Sequence, residues 1–207
     1  MKFPKTPYFF DLKKFSEIEI FKNIIFPWQA LAKLDKYVSQ KLKSSKKKIL
    51  VGAQSIIDKT VQIEGQVIIG SNCQIGPFTY LRGPVIIGDN CKLGRSEIKN
   101  SIIMSRSSAK HFNYISDSLI GNKVNFGGGS KIANFRFDKK EIKIKDKEKL
   151  ISTGFRKFGA IIGDNSQLGI NCCLNPGTVL GKSCLVYPLY NPKPGFYSSN
   201  SILKPNL

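Results

Sequence analysis

Large aliphatic residues recur every six positions along most of this chain, and that spacing constrains the fold more than any other feature. From Val51 the run is Val51, Ile57, Ile63, Ile69, Ile75, Leu81, Ile87 and Leu93, with no slip. The register resumes at Ile120, Phe126 and Ile132, and again at Ile162, Leu168, Leu174, Leu180 and Val186. Four positions after the apolar residue stands a small or β-branched one, as at Ser55, Val61, Val67, Cys73, Thr79, Val85 and Cys91. A period of six is neither the 2 of a plain strand nor the 3.6 of an amphipathic helix. It fits short strands joined by sharp corners, with one aliphatic per side pointing inward and a small residue leaving room at each corner. Three sides close one triangular coil, and stacked coils bury a continuous aliphatic ladder at a spacing of about 4.8 Å. The expected architecture is a mainly-β, parallel β-helix of about six or seven coils over residues 49–190. An N-terminal appendage (1–48) precedes it and a C-terminal tail (191–207) follows.

The same register accounts for four of the five cysteines. Cys73, Cys91, Cys172 and Cys184 fall in the small inward slot, where a buried thiol is a small hydrophobe. Cys173 falls outside it. The odd count argues against a disulfide framework, and no CxxC pair suggests zinc.

Two segments leave the repeat. Residues 27–42, PWQALAKLDKYVSQKL, carry Trp28, Leu31, Leu34, Val38 and Leu42 at helical spacing with Pro27 at the start. This predicts a helix that caps or flanks the open end of the stack. Residues 135–158 are highly charged, contain an alternating E-I-K-I-K stretch that suits a short strand, and read as a loop thrown out from one coil. These segments also hold most of the charge. The chain has 33 Lys+Arg and 14 Asp+Glu, a net +19. Residues 1–48 contribute 12 − 4 = +8 and residues 135–158 contribute 9 − 4 = +5. Such a balance suits nucleic acid, an acidic surface or an anionic substrate. No nucleic-acid motif accompanies it, nor do aromatic residues alternate with the basic ones on a repeat face. No apolar run approaches the roughly 20 residues of a membrane helix, and the N-terminus does not read as a signal peptide. The expected location is cytoplasmic.

His111 is the chain's one histidine. It lies in SAKHFNYISDS, where the repeat is disturbed and polar groups collect, and imidazole is the side chain best suited to proton transfer near neutrality. The triple Gly127-Gly128-Gly129 follows, and Gly128 and Gly129 exceed what the repeat requires.

The run His111–Asp138, HFNYISDSLIGNKVNFGGGSKIANFRFD, resembles the acetyltransferase domain of the bifunctional glucosamine-1-phosphate N-acetyltransferase/N-acetylglucosamine-1-phosphate uridylyltransferase family. The likeness extends from IGPFTYLRG (75–83) through EIKNSIIM (97–104) and FRKFGAIIGDN (155–165) to LNPGTVLG (174–181). The helix at 27–42 resembles the linker after the family's uridylyltransferase domain, whose glycine-rich nucleotide loop these 207 residues do not contain. The resemblance implies a left-handed helix, a homotrimer with sites between subunits, and acetyl transfer from acetyl-CoA to the amine of an amino-sugar 1-phosphate. Glucosamine-1-phosphate is the first candidate substrate, and no metal is expected for the acetyl transfer.

Residue by residue, His111 matches the catalytic base. Glu97, across a one-residue gap between 93 and 99, matches an acid that contacts that base. The Gly128 N–H matches the oxyanion donor. Arg82 and Lys99 match the phosphate-binding positions, and Tyr114, Asn125 and Asn134 the sugar-binding ones. Gly128, Ile170, Pro188 and Lys182 are the coenzyme candidates, with Lys204 as a second cation for the coenzyme phosphates. Three departures stand out. Phe135 replaces a Tyr, Ile170 replaces a Ser near the coenzyme, and the tail lacks the family's coenzyme-closing arginine. The alternative reading is a non-catalytic β-helical trimerisation or regulatory module that partners a separate nucleotidyltransferase through residues 1–48.

Overall fold

A computed structural model describes residues 3–205. They form a parallel β-solenoid with an N-terminal helix. Two of its three faces carry eight strands each, so the stack is taller than the six or seven coils expected. The first face runs from Ile49–Val51 to Gly195–Tyr197, and the second from Ile56–Ile57 to Ile202–Leu203. The third runs from Gln62–Glu64 to Cys173–Leu174 and includes the first halves of Tyr80–Ile87 and Glu97–Ile103.

The extra height has two sources. Residues 94–119, irregular by the six-residue count, are ordinary coil with shortened corners. Ile98, Ile103, Ala109 and Ile115 continue the inward ladder, with five-residue steps from Leu93 to Ile98 to Ile103. The segment assigned to a tail adds another coil, because Gly195–Tyr197 pairs with Thr178–Leu180 and Ile202–Leu203 pairs with Leu185–Val186.

The inward slot behaves as its residue types require. Cys73, Cys91, Cys172 and Cys184 are buried, and Cys173 is half-buried on the outer side of the third face. Each buried thiol donates to a corner carbonyl of the next coil, as Cys91 Sγ does to Met104 O at 3.1 Å and Cys172 Sγ to Tyr187 O at 3.0 Å. Ser107 does the same for Gly121 O at 2.7 Å. A small side chain with one donor thus satisfies a carbonyl that the corner leaves without a strand partner.

The N-terminal segment does not close the end of the stack. The helix Gln29–Ser45 lies along the outer side of the first face, burying Ala30, Leu31, Leu34, Val38 and Leu42. Its partners are the outward residues of that face, Ile68, Ile86 and Ile102, joined by Phe9, Phe10, Trp28, Ile142, Ile144 and Phe158 in a second apolar cluster. The strand triplets of this face are apolar on both sides because both sides are covered. Each large side chain sealed this way contributes about 1.5–3 kcal/mol. Residues 9–11 are tied across the corner between the first and second faces. Asp164 N–H donates to Phe9 O at 2.9 Å, and Asp11 N–H to Asp164 Oδ2 at 2.6 Å.

The excursion at 135–158 holds an antiparallel hairpin, Lys143–Asp146 with Lys149–Ser152. Its Ile142 and Ile144 join the same outer cluster, so the loop is anchored and not free. The second and third faces remain open to solvent.

Candidate active site

His111 sits on the corner between the second and third faces, exposed, between Lys110 and Phe112. The ladder identifies its neighbours in successive coils. Gly129 N–H donates to His111 O at 2.7 Å, Asn171 N–H to Gly128 O at 2.8 Å, and Leu189 N–H to Ile170 O at 2.9 Å. His111, Gly128, Ile170 and Pro188 therefore form one column along this corner. In the coil before His111 the corner is one residue shorter, with only Gly94 and Arg95 between Leu93 and the slot residue Ser96. The gap seen in the sequence is this shortened corner, and it removes the residue that would stand beside His111 on that side.

The three glycines do different work. A Cβ on Gly127 would lie 2.5 Å from the Gly169 carbonyl carbon, so close packing of coils requires glycine there. Gly129 has φ of +72° at the corner position that Phe78, Phe112 and Asn171 also occupy with positive φ, so the repeat does explain it. Gly128 has no such need. A Cβ there would meet His111 Cβ at 3.5 Å and Ile170 Cδ1 at 3.9 Å, which is ordinary contact. Among the described residues its N–H has no hydrogen-bond acceptor. An unpaired, half-buried backbone donor beside an exposed imidazole can receive a developing negative charge.

The third face carries the charged groups on its outer side. Tyr80, Glu97, Tyr114 and Lys131 are in register in successive coils, and Arg82, Lys99 and Ser116 form the row two residues further along. At about 3.4 Å per residue the rows are about 7 Å apart. Arg82 Nη1 donates to Glu97 Oε1 at 2.8 Å and its ring neighbour is Tyr80, 5.6 Å to the centroid. The Tyr80 hydroxyl donates to Glu64, which also approaches Arg82 Nε at 4.0 Å. The Glu97 carboxylate beside it raises the Arg82 guanidinium above its usual pKa, and Glu64 raises the Tyr80 hydroxyl. Glu97 was expected at the imidazole. Its carboxylate is instead committed to Arg82, and no hydrogen bond joins it to His111 among the described residues.

Tyr114 and Lys99 lie together on this outer face, half-buried. Asn125 lies on the second face, exposed, two residues before the glycine corner. It borders a groove of about 350 Å³ with Gln167, Gly169, Tyr187 and Pro188. Asn134 lies past the far end of the third face, where its Nδ2 donates to buried Asp117, which also accepts from Asn100 Nδ2 at 2.6 Å. Phe135 is beside it, bridged to Lys157. Lys182 does not join the coenzyme column. It is on the corner between the first and second faces, between Thr178–Leu180 and Leu185–Val186. Lys204 follows the last strand of the second face. Lys131, which carries no motif in the sequence, is in register with Tyr114, and its Nζ donates to Gly129 O at 2.9 Å. Tracking the residue just before each inward aliphatic would have placed it in one row with Tyr80, Glu97 and Tyr114.

No group of three or more His, Cys, Asp or Glu side chains that could hold a metal occurs among the described residues. None of their helices is long and apolar enough to cross a membrane.

Known proteins resemble parts of this chain. Residues 63–155 match the model of the GMPPB C-terminal domain, and residues 159–187 match the hexapeptide repeat of succinyl-transferase. A bifunctional sugar-1-phosphate nucleotidylyltransferase/acetyltransferase from Sulfurisphaera tokodaii is 48% identical over 92 residues, covering 44% of this chain and 23% of the relative. The bifunctional protein GlmU of Methanocaldococcus jannaschii is 42% identical over 91 residues, covering 44% of this chain and 22% of the relative. The matched region thus spans less than a quarter of those relatives. Among solved structures, the N-acyltransferase AntD from Bacillus cereus, in complex with dTDP and 3-hydroxybutyryl-CoA, aligns over 79% of this chain and 81% of its own. The identity there is 17% and the TM-score 0.39. Over about 44% of its length the chain is therefore similar to part of the bifunctional sugar-1-phosphate nucleotidylyltransferase/acetyltransferases, and residues 159–187 add the likeness to a hexapeptide-repeat acyltransferase.

Proposed function

We propose that the protein transfers an acetyl group from acetyl-CoA to the amine of an amino-sugar 1-phosphate, glucosamine-1-phosphate in the first instance. The observation that carries this reading is the exposed His111 one rung from the unpaired Gly128 N–H, at the edge of a face that presents Arg82 and Lys99.

In this reading His111 takes a proton from the sugar amine as its nitrogen attacks the thioester carbonyl. The new C–N bond gives a tetrahedral oxyanion, held by the Gly128 N–H. The C–S bond then breaks, and the proton from His111 goes to the departing coenzyme thiolate. Arg82 and Lys99 hold the sugar phosphate, with Arg82 turning from Glu97 to do so. Tyr114 and Asn125 flank the sugar, and Asn134 is placed to reach it only from the far end of the third face.

The coenzyme fits the second face. The groove bounded by Asn125, Gly169, Tyr187 and Pro188 runs beside the corner column, and a slender pantetheine arm with its two amides suits a shallow, partly polar channel of that kind. The open second and third faces meet at the His111 corner, where Phe112 is 70% exposed and Leu189 is 76% exposed. That ridge supports a homotrimer in which a neighbouring copy completes the site. Use of acetyl-CoA also supports the cytoplasmic location.

Incubating the protein with acetyl-CoA and glucosamine-1-phosphate or galactosamine-1-phosphate, and following free CoA thiol, tests the reading. Absence of CoA release with every amino-sugar phosphate sinks it, as does full activity in His111→Ala.

A further inference from the structure

We infer that Asn113 is a positioning residue that locks the base and the oxyanion donor into one rigid unit. The inference rests on the acetyl-transfer reading for its functional meaning, but its geometry stands without it.

Asn113 is 2% exposed and fills the inward slot beneath the His111 corner. In neighbouring coils the same slot holds serine, at Ser96 and Ser130. A serine has one hydroxyl. The longer amide has two ends, and the structure uses them on two different corners. Oδ1 accepts the His111 backbone N–H at 3.2 Å. Nδ2 donates to Gly127 O at 2.7 Å and more weakly to Ser130 O at 3.4 Å. Asn113 is itself held from below, its N–H donating to Ser96 Oγ at 3.0 Å.

The Gly127 carbonyl matters because it shares a peptide plane with the Gly128 N–H. That peptide is trans, so the two groups point in opposite directions. Asn113 Nδ2, together with the Ser130 hydroxyl and the Ser130 N–H at 3.2 Å, draws the carbonyl into the solenoid. The Gly128 N–H must then point outward, on the corner column to which His111 belongs. Three glycines in a row form a segment with unusual freedom to rotate its peptide planes. Asn113 removes that freedom at the plane that counts and fixes the backbone of His111 with its other end. Pre-set donors are what make oxyanion stabilisation effective, since no reorganisation is then needed during reaction.

The test uses Asn113→Ser, which recreates the slot residue of the adjacent coils and keeps one donor, with Asn113→Thr as the second variant should the first fail to fold. Steady-state kinetics, thermal unfolding and amide hydrogen exchange are measured on the full chain. The expected result is a fall in kcat of about 10- to 100-fold with KM for both substrates within about threefold. The expected melting temperature is close to wild type, and exchange at the His111 N–H rises at least about tenfold because its acceptor is gone. Unchanged kcat in a folded variant overturns the inference. So does unchanged exchange at His111, which is readable even if the wild-type protein releases no CoA. That last outcome would sink the proposed reaction alone.

Discussion

The Gly129 N–H donates to the His111 carbonyl across 2.7 Å, which makes the imidazole corner and the glycine corner adjacent rungs of one ladder. In the proposed reaction, base and oxyanion donor are therefore not brought together by a loop closing over substrate. They are held at the coil repeat of the solenoid, and the chemistry of each can be probed without disturbing the fold.

Replacing His111 by Ala or Asn removes the proposed base from an exposed corner where its ring makes no hydrogen bond among the described residues. The expected outcome is a fall in kcat of about 10²- to 10⁴-fold with little change in melting temperature. Free-thiol release assays alongside thermal unfolding check both halves.

Gly127 and Gly128 are expected to respond in opposite ways to alanine. A Cβ on Gly127 meets the Gly169 backbone at 2.5 Å, whereas one on Gly128 finds only ordinary contacts. Gly127→Ala should cost about 1–3 kcal/mol of stability through overpacking. Gly128→Ala should stay within about 0.5 kcal/mol. Denaturant titration of the two variants decides it.

The Arg82–Glu97 pair separates two roles for the glutamate. With the carboxylate spent on Arg82, Glu97→Gln is expected to leave kcat within about threefold and to alter KM for the sugar phosphate. Arg82→Ala and Lys99→Ala each raise that KM by about 10- to 100-fold, the loss of one charge-assisted contact. A drop in kcat of a hundredfold or more in Glu97→Gln would return the glutamate to the imidazole.

Burial pushes the Cys172 and Cys184 thiols above their ordinary pKa. Below about pH 8.5 both folded and unfolded chains keep these protons, and stability is unaffected by them. Above it the unfolded chain releases protons that the folded chain retains, so stability falls as pH rises. Each thiol contributes at most about 1.4 kcal/mol per pH unit. Melting curves between pH 8 and 10 should show this decline, and the double variant Cys172→Ser, Cys184→Ser should flatten it.

The solenoid was legible because each side must place one aliphatic inward, and Ile57 through Leu93 do so without interruption, with Val51 left exposed at the open end. Residues 94–119 hid the same structure because corners shorten by one residue and Ala109 stands where an Ile or Leu usually does. The outer layer was visible only as doubled aliphatics such as Ile68 beside Ile69 and Ile86 beside Ile87. A count that follows one residue per side passes over the second. His111, Gly128, Ile170 and Pro188 were named separately in the sequence, and the structure places them in one column. Glu97 and Lys182 went elsewhere, because neighbourhood along the chain specifies neither an ion-pair partner nor which of three corners a residue occupies.

The tie between Phe9, Asp11 and Asp164 has a consequence for how the molecule is made. Joining residues some 150 positions apart closes a very long loop, and such closure is entropically slow. Coils can stack one upon another as they leave the ribosome, each on the one before. Residues 9–11, made before the coils they dock on, have no complete seat until residue 164 exists. Birth order and docking order are thus reversed, and until then the growing stack keeps its first face, with Ile68, Ile86 and Ile102, open to the wrong partner.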